Sequence, residues 1–139
     1  GDLKKAEESY LKSLKINRSN LSAINNIHIL YREQGNEEKA RSYAKKADKY
    51  ARKNPYYLEK LANSAIEEKN FEEAVKLLTR ATRIYAYEPS FFHGLAKAYF
   101  FQQEIEKSSK SLQRAKSLSE SDEFKNRYQK KINALFTVY

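Results

Sequence analysis

The sequence predicts an all-α protein, an α-α superhelix in which helix–turn–helix repeats stack as a solenoid, and three observations lead there. Three Gly and two Pro in 139 residues leave too little turn material for a sandwich or barrel, which needs many tight turns. Small or apolar residues recur at a fixed step along the chain, the mark of a repeat architecture. Within each step they fall at helical rather than strand spacing.

The step is 34 residues. It links Ala6, Ala40, Ala74 and Ser108; Ser13, Ala47, Ala81 and Ala115; and Tyr10, Ala44, Leu78 and Leu112. It also links Ile24, Leu58 and Phe92; Ile27, Leu61 and Leu95; and Tyr31, Ala65 and Tyr99. Six columns in one register, without insertion, do not arise by chance.

Each element has its own warrant. Ile24, Ile27 and Tyr31, like Leu58, Leu61 and Ala65, keep the i, i+3, i+7 spacing of one helix face. Ala40, Ala44 and Ala47, like Ala74, Leu78 and Ala81, keep the i, i+4, i+7 spacing of a second helix. Small side chains at facing positions let the two helices approach closely. Gln34-Gly35-Asn36, Lys69-Asn70 and Gln103-Glu104 form the turns between them, with Gly35 and Asn70 expected in the left-handed conformation that ends a helix. Pro55 and Pro89 open first helices, where a missing N–H is harmless. Near the C-terminus, Ser121-Asp122-Glu123 reads as a helix start. A stripe of Phe124, Tyr128, Ile132, Leu135 and Tyr139 follows without the small residues of a new repeat, as in a terminal capping helix.

This arrangement resembles the tetratricopeptide repeat, a 34-residue helix–turn–helix unit. The residues carrying the resemblance are Leu58, Leu61, Ala62, Ala65, Ala74, Leu78 and Ala81 in one unit, and Phe92, Leu95, Ala96, Tyr99, Ser108, Leu112 and Ala115 in the next. Ile24, Ile27, His28, Tyr31, Ala40, Ala44 and Ala47 match in the unit before, and Leu3, Ala6, Tyr10, Ser13 and Ile16 in a half unit at the start. The resemblance covers residues 1–120 and implies three and a half units plus a cap. Residues 1–20 supply the second helix of a truncated repeat; 21–54, 55–88 and 89–120 are full repeats; 121–139 is the cap. His28 stands where the family has Gly or Ala, so looser packing is expected there. The family's closing Pro is replaced by Arg18, Arg52, Ala86 and Glu120.

The first residue is Gly1, and Met occurs nowhere, so the chain is expected to be a piece of a longer protein. Further structure is expected upstream, and any targeting segment would lie outside this stretch. No apolar run approaches the ~18 residues of a membrane span, and no signal-peptide pattern is present. The absence of Cys excludes disulfides and thiolate chemistry; it fits the cytoplasm without excluding the periplasm, and localisation stays open.

Nothing argues for catalysis. There is no Gly-rich phosphate loop, no paired-His or paired-Cys metal spacing, and the two His, His28 and His93, occupy nonequivalent repeat positions. Glu37-Glu38, Glu67-Glu68 and Glu72-Glu73 cluster near inter-helix turns, and most are explained by acidic side chains stabilising helix starts. No enzyme, cofactor or metal is expected.

The resemblance implies a binding groove on the concave side, lined by first helices. Carried over position by position, the lining includes Asn25, Ile29 and Arg32; Tyr56, Glu59, Asn63 and Ile66; and His93, Lys97, Phe100 and Phe101. Apolar anchors between polar groups suit an extended or helical peptide. An exposed Phe100–Phe101 pair would be a hot spot; the alternative is that one of them packs beneath the C-terminal helix. Some family members grip a carboxylate with a Lys/Asn/Arg clamp, but those places hold Asn25, Ile29, Lys60, Ser90 and Gly94, so the clamp is not expected.

The net charge of +9 raises polyanions as partners. Lys39, Arg41, Lys45, Lys46, Lys49, Arg52 and Lys53 belong to one second helix or its end, on the outer convex side. The expected function is therefore a non-catalytic scaffold binding a peptide or protein in its groove. The alternatives are polyanion binding (nucleic acid or an anionic membrane) by the convex face and self-association through the terminal helices.

Overall fold

The computed structural model describes residues 1–137, so Tyr139 of the C-terminal stripe lies outside the described residues. Those residues form eight α-helices joined by short turns: α1 (Asp2–Ile16), α2 (Leu21–Glu33), α3 (Glu37–Ala51), α4 (Pro55–Glu67), α5 (Phe71–Ile84), α6 (Pro89–Phe101), α7 (Ile105–Leu118) and α8 (Asp122–Thr137). The helices fall into two compact units, Gly1–Lys53 and the residues from Asn54 onward. No helix among the described residues is long and apolar enough to cross a membrane.

The helix ends repeat as regularly as the cores. Gly35, Lys69 and Gln103, spaced at 34, take left-handed φ values of 72°, 61° and 62°. At each of them two backbone bonds close the preceding helix. Asn36 N–H donates to Tyr31 O and Gly35 N–H to Arg32 O; Asn70 to Ala65 and Lys69 to Ile66; Glu104 to Tyr99 and Gln103 to Phe100. This is the paired-bond ending that satisfies orphan carbonyls. Asn70 was the expected left-handed residue of the second turn, but Lys69 holds that conformation. Asn70 instead begins α5, its side chain accepting from Glu73 N–H at 3.3 Å.

A second polar column runs through the N-caps. Asn20, Asn36, Asn54 and Asn70 each accept a backbone N–H in the first turn of the helix they open, and Glu88 does the same for α6. Asn is among the best residues for this role because its short amide reaches the orphan donor.

In Gly1–Lys53, α2 is the central helix. Ile27, Leu30, Tyr31 and Ala40 are its buried core, with Ala6, Tyr10, Leu11 and Leu14 of α1 packed against them. α1 buries no residue fully; Leu3 and Ile16, read as part of its repeat pattern, are exposed, and Leu11 and Leu14 make the apolar contact. Tyr31 Oη donates to Glu7 Oε1 at 2.6 Å. Burial first, then that carboxylate, pushes the phenol up to about 12.

His28 does not simply open a gap where the family has a small residue. Its Nδ1 lies 2.9 Å from Ala40 O, and the half-buried imidazole spans the α2–α3 crossing. The equivalent crossing in α4–α5 is Ala62 on Ala74, both fully buried. In α6–α7 the bond is reversed in direction: Ser108 Oγ donates to Ala96 O at 2.8 Å. Either a small apolar pair or one cross-helix hydrogen bond serves this position, because a buried donor must be satisfied.

From Asn54 onward the main core gathers Leu58, Ala62, Ala65, Ala74, Leu77, Leu78, Ala81, Phe91, Leu95 and Ala98 from α4, α5 and α6. A second cluster joins Ala96, Leu112 and Ala115 to Tyr128, Ile132 and Leu135 of α8. Phe124, the first residue of the predicted α8 stripe, is exposed, with the Arg127 guanidinium 5.5 Å over its ring.

Candidate binding cleft

The predicted lining residues separate by element. On α2, Asn25, Ile29 and Arg32 are all exposed. On α4, Tyr56 and Asn63 are exposed, whereas Glu59 and Ile66 are half-buried. Glu59 is engaged internally: Ser90 Oγ donates to its Oε2 at 2.6 Å. Tyr56 Oη donates to Glu88 Oε2 at 3.0 Å, and its ring lies 5.3 Å from that of buried Phe91. Ile66 packs against the core. Tyr56, Glu59 and Ile66 thus tie α4 to its neighbours rather than standing free as anchors.

The α6 residues converge on a cleft. His93, Lys97, Phe100 and Phe101 line a cavity of about 360 Å³ together with Ala96 of α6, Ser108 and Leu112 of α7, and Lys131, Ala134 and Leu135 of α8. Helical spacing explains the convergence: positions 93, 97, 100 and 101 lie on one stripe of α6. Phe100 is 37% exposed and Phe101 55%; their rings meet edge to face at 5.5 Å, and Phe101 stacks on Phe71 of α5 at 4.9 Å.

The rim of the cleft is cationic. Lys131 Nζ donates to His93 Nε2 at 2.7 Å, and the His93 ring leans on Tyr128 at 5.6 Å. Burial, reinforced by Lys131, Lys97 and Arg127, lowers His93 to about 4, so its imidazole is neutral at physiological pH. Burial, then Arg127 and Lys97, also lowers Lys131. Among the described residues no carboxylate forms an ion pair with Lys97, Arg127 or Lys131. Sequence reasoning found His93 and Lys97 but missed Lys131, which sits on α8 between the residues of its packing stripe.

The first unit holds a different kind of surface. A depression of about 590 Å³ is lined by Leu11, Leu14, Lys15 and Arg18 of α1 and its end, Ile24 of α2, and Tyr43, Lys46, Lys49 and Tyr50 of α3. Lysines cover the tyrosine rings here: Lys46 lies 4.5 Å over Tyr43, and Lys53 5.2 Å over Tyr50.

A family model described as tetratricopeptide repeat matches residues 1–20 and 28–54. Those residues, about a third of the chain, carry the tetratricopeptide-repeat pattern. Solved structures share the fold. A structure of MamA aligns at a TM-score of 0.54 with 19% identity, over 86% of this chain and 70% of its own. A second MamA structure aligns at 0.55 with 18% identity, over 99% and 80%. PilF of Pseudomonas aeruginosa aligns at 0.53 with 18% identity, over 99% and 68%. No curated protein matches the chain significantly. Tetratricopeptide repeats are typically protein-interaction scaffolds and generally non-catalytic.

Proposed function

We propose that this chain is a non-catalytic scaffold that binds a protein or peptide partner, with the α6 face as its principal contact. The observation that carries this reading is the adjacent, exposed pair Phe100 and Phe101 opening onto an apolar cleft. A large aromatic at a solvent-facing position has no role in the core, and clustered exposed apolar surface marks an interaction site. His93 and Lys97 add polar contacts on the same stripe, while exposed Asn25, Ile29 and Arg32 offer a separate patch on α2.

Panning a random peptide library on the immobilised chain tests the reading, with the Phe100→Ala/Phe101→Ala double variant as counter-screen. Selected peptides are expected to weaken by tenfold or more on the double variant, as hot-spot truncation of about 1.4 kcal/mol or more implies. A library yielding only peptides that bind both forms equally would overturn it.

A second reading has its own support. Gly1–Lys53 carries 13 Lys/Arg against 7 Asp/Glu, and Lys39, Arg41, Lys45, Lys46 and Lys49 lie on α3. That composition favours a polyanion held by the basic face. Against it, the α3 tyrosines are covered by lysines rather than open for base stacking. Binding to a single-stranded oligonucleotide that falls linearly in log salt and survives Phe100→Ala would favour this alternative.

A further inference from the structure

The α6–α7–α8 cleft combines two features that ordinarily exclude each other. Its floor is apolar: Ala96, Leu112, Ala134 and Leu135, flanked by the two phenylalanines. Its rim gathers Lys97 from α6 and Lys131 from α8 around one lining, two like charges beside an apolar floor. α7 contributes only Ser108 and Leu112 to the lining, so it brings no charge.

Like charges crowded beside an apolar surface are unfavourable in the free protein. Arg52 pairs with Asp48, Lys76 with Glu72 and Lys107 with Glu104, whereas neither rim lysine has a carboxylate partner among the described residues. The acidic residues of α8 are Asp122 and Glu123, in its first turn, and neither forms an ion pair with this rim. Lys131 turns instead to a neutral imidazole. A rim of this kind is completed by anionic groups brought from outside, and a floor of this kind by an apolar side chain.

Resting on the scaffold reading above, we propose that this cleft takes an acidic peptide in which an apolar residue is flanked by Asp or Glu side chains. The apolar residue fills the space between Phe100, Phe101 and Leu135, and the flanking carboxylates meet Lys97 and Lys131. Side-chain carboxylates fit better than a chain terminus, because two cations on two different helices exceed what one terminal carboxylate neutralises. Binding an anion here relieves the repulsion among the rim cations and strengthens the hold of each.

Fluorescence polarisation with the full chain tests this. The probe is a labelled decapeptide with a central Leu-Phe and two Asp or Glu residues on each side. The comparison probes are its Asn/Gln counterpart and its C-terminal amide. The acidic probe is expected to bind about tenfold tighter than the Asn/Gln counterpart, and amidation to change nothing. Lys97→Gln and Lys131→Gln are each expected to weaken it about three- to tenfold, with Lys131→Arg retaining affinity. Equal binding of acidic and neutral probes would overturn the proposal, as would no binding of either. If the neutral probe binds as well and is lost on Phe101→Ala, the scaffold reading survives and this inference falls. Acidic preference that survives Lys97→Gln and Lys131→Gln, but is lost when Lys45, Lys46 and Lys49 are replaced by Gln, would move the site to α3 and overturn it equally. A probe that needs its free C-terminus would also count against it.

Discussion

Lys69 and Gln103 hold left-handed backbone conformations with φ near +60°, where Gly35 does the same work in the first unit without a side chain. A non-glycine residue there is destabilised by about 1–2 kcal/mol, and glycine loses about 0.5–1 kcal/mol more backbone entropy on folding. The difference predicts that Lys69→Gly and Gln103→Gly each stabilise by roughly 0.5–1 kcal/mol, and together by about 1–2 kcal/mol. With a urea m-value of about 2 kcal/mol per molar, the double variant should unfold at a midpoint roughly 0.5–1 M higher. Circular dichroism across a urea series reads this directly. Gln102, one residue earlier, has φ −84° and ψ 2°, at negative φ with no left-handed strain to relieve, so Gln102→Gly should stabilise nothing and lose about 0.5–1 kcal/mol. Gly35→Ala provides the converse. An added Cβ meets nothing within 4 Å, so its expected loss of about 1 kcal/mol is purely conformational. If Gln102→Gly and Gln103→Gly shift the midpoint in the same direction, the argument from left-handed strain is wrong.

Three further outcomes follow from the packing and the titrating groups. Phe91 is fully buried at the centre of the α4–α6 core, so Phe91→Ala should lose about 3–5 kcal/mol in the same urea assay. Tyr31, raised to about 12, stays protonated in the folded chain while an unfolded phenol ionises near 10. The stability it holds below pH 10 is therefore lost as pH rises toward 12, and Tyr31→Phe should flatten that loss in alkaline melts. His93 has the opposite sense. It is lowered to about 4, so between pH 6.5 and 4 the unfolded chain takes up a proton that the folded chain refuses, and stability falls on acidification. His93→Gln should flatten that slope, and a profile identical to wild type would contradict the placement of His93 among Lys97, Arg127 and Lys131.

The helix pairing was legible because it is written in volume. Ala62 on Ala74 and Ser108 on Ala96 need small residues, and small residues stand out at a step of 34. The capping was less legible because it is written in polar residues that also serve surfaces and turns. Asn20 and Asn54, Asn36 and Asn70 keep the same step, with Glu88 and Glu104 continuing each column, but such polar residues are common at surfaces and turns for other reasons. Asn70 shows the resulting ambiguity. Asn tolerates the left-handed region and also caps helices, and only its register against Gly35 assigns that conformation to Lys69. The cleft was half legible. His93, Lys97, Phe100 and Phe101 share one stripe of α6, but Lys131 depends on how α8 docks, which no periodicity encodes. Glu59 and Ile66 share the stripe logic of a lining yet are half-buried, because Ser90 and the core claim them.

The central claim, that recognition occurs on the α6 and α8 face, is most directly tested by amide chemical-shift mapping. The ¹⁵N-labelled chain would be titrated with the acidic Leu-Phe decapeptide. Saturable shifts are predicted at His93, Lys97, Phe100, Phe101, Lys131 and Leu135, with α3 unmoved. Shifts confined to Lys45, Lys46 and Lys49 of α3, with the α6 and α8 amides silent, would contradict the account.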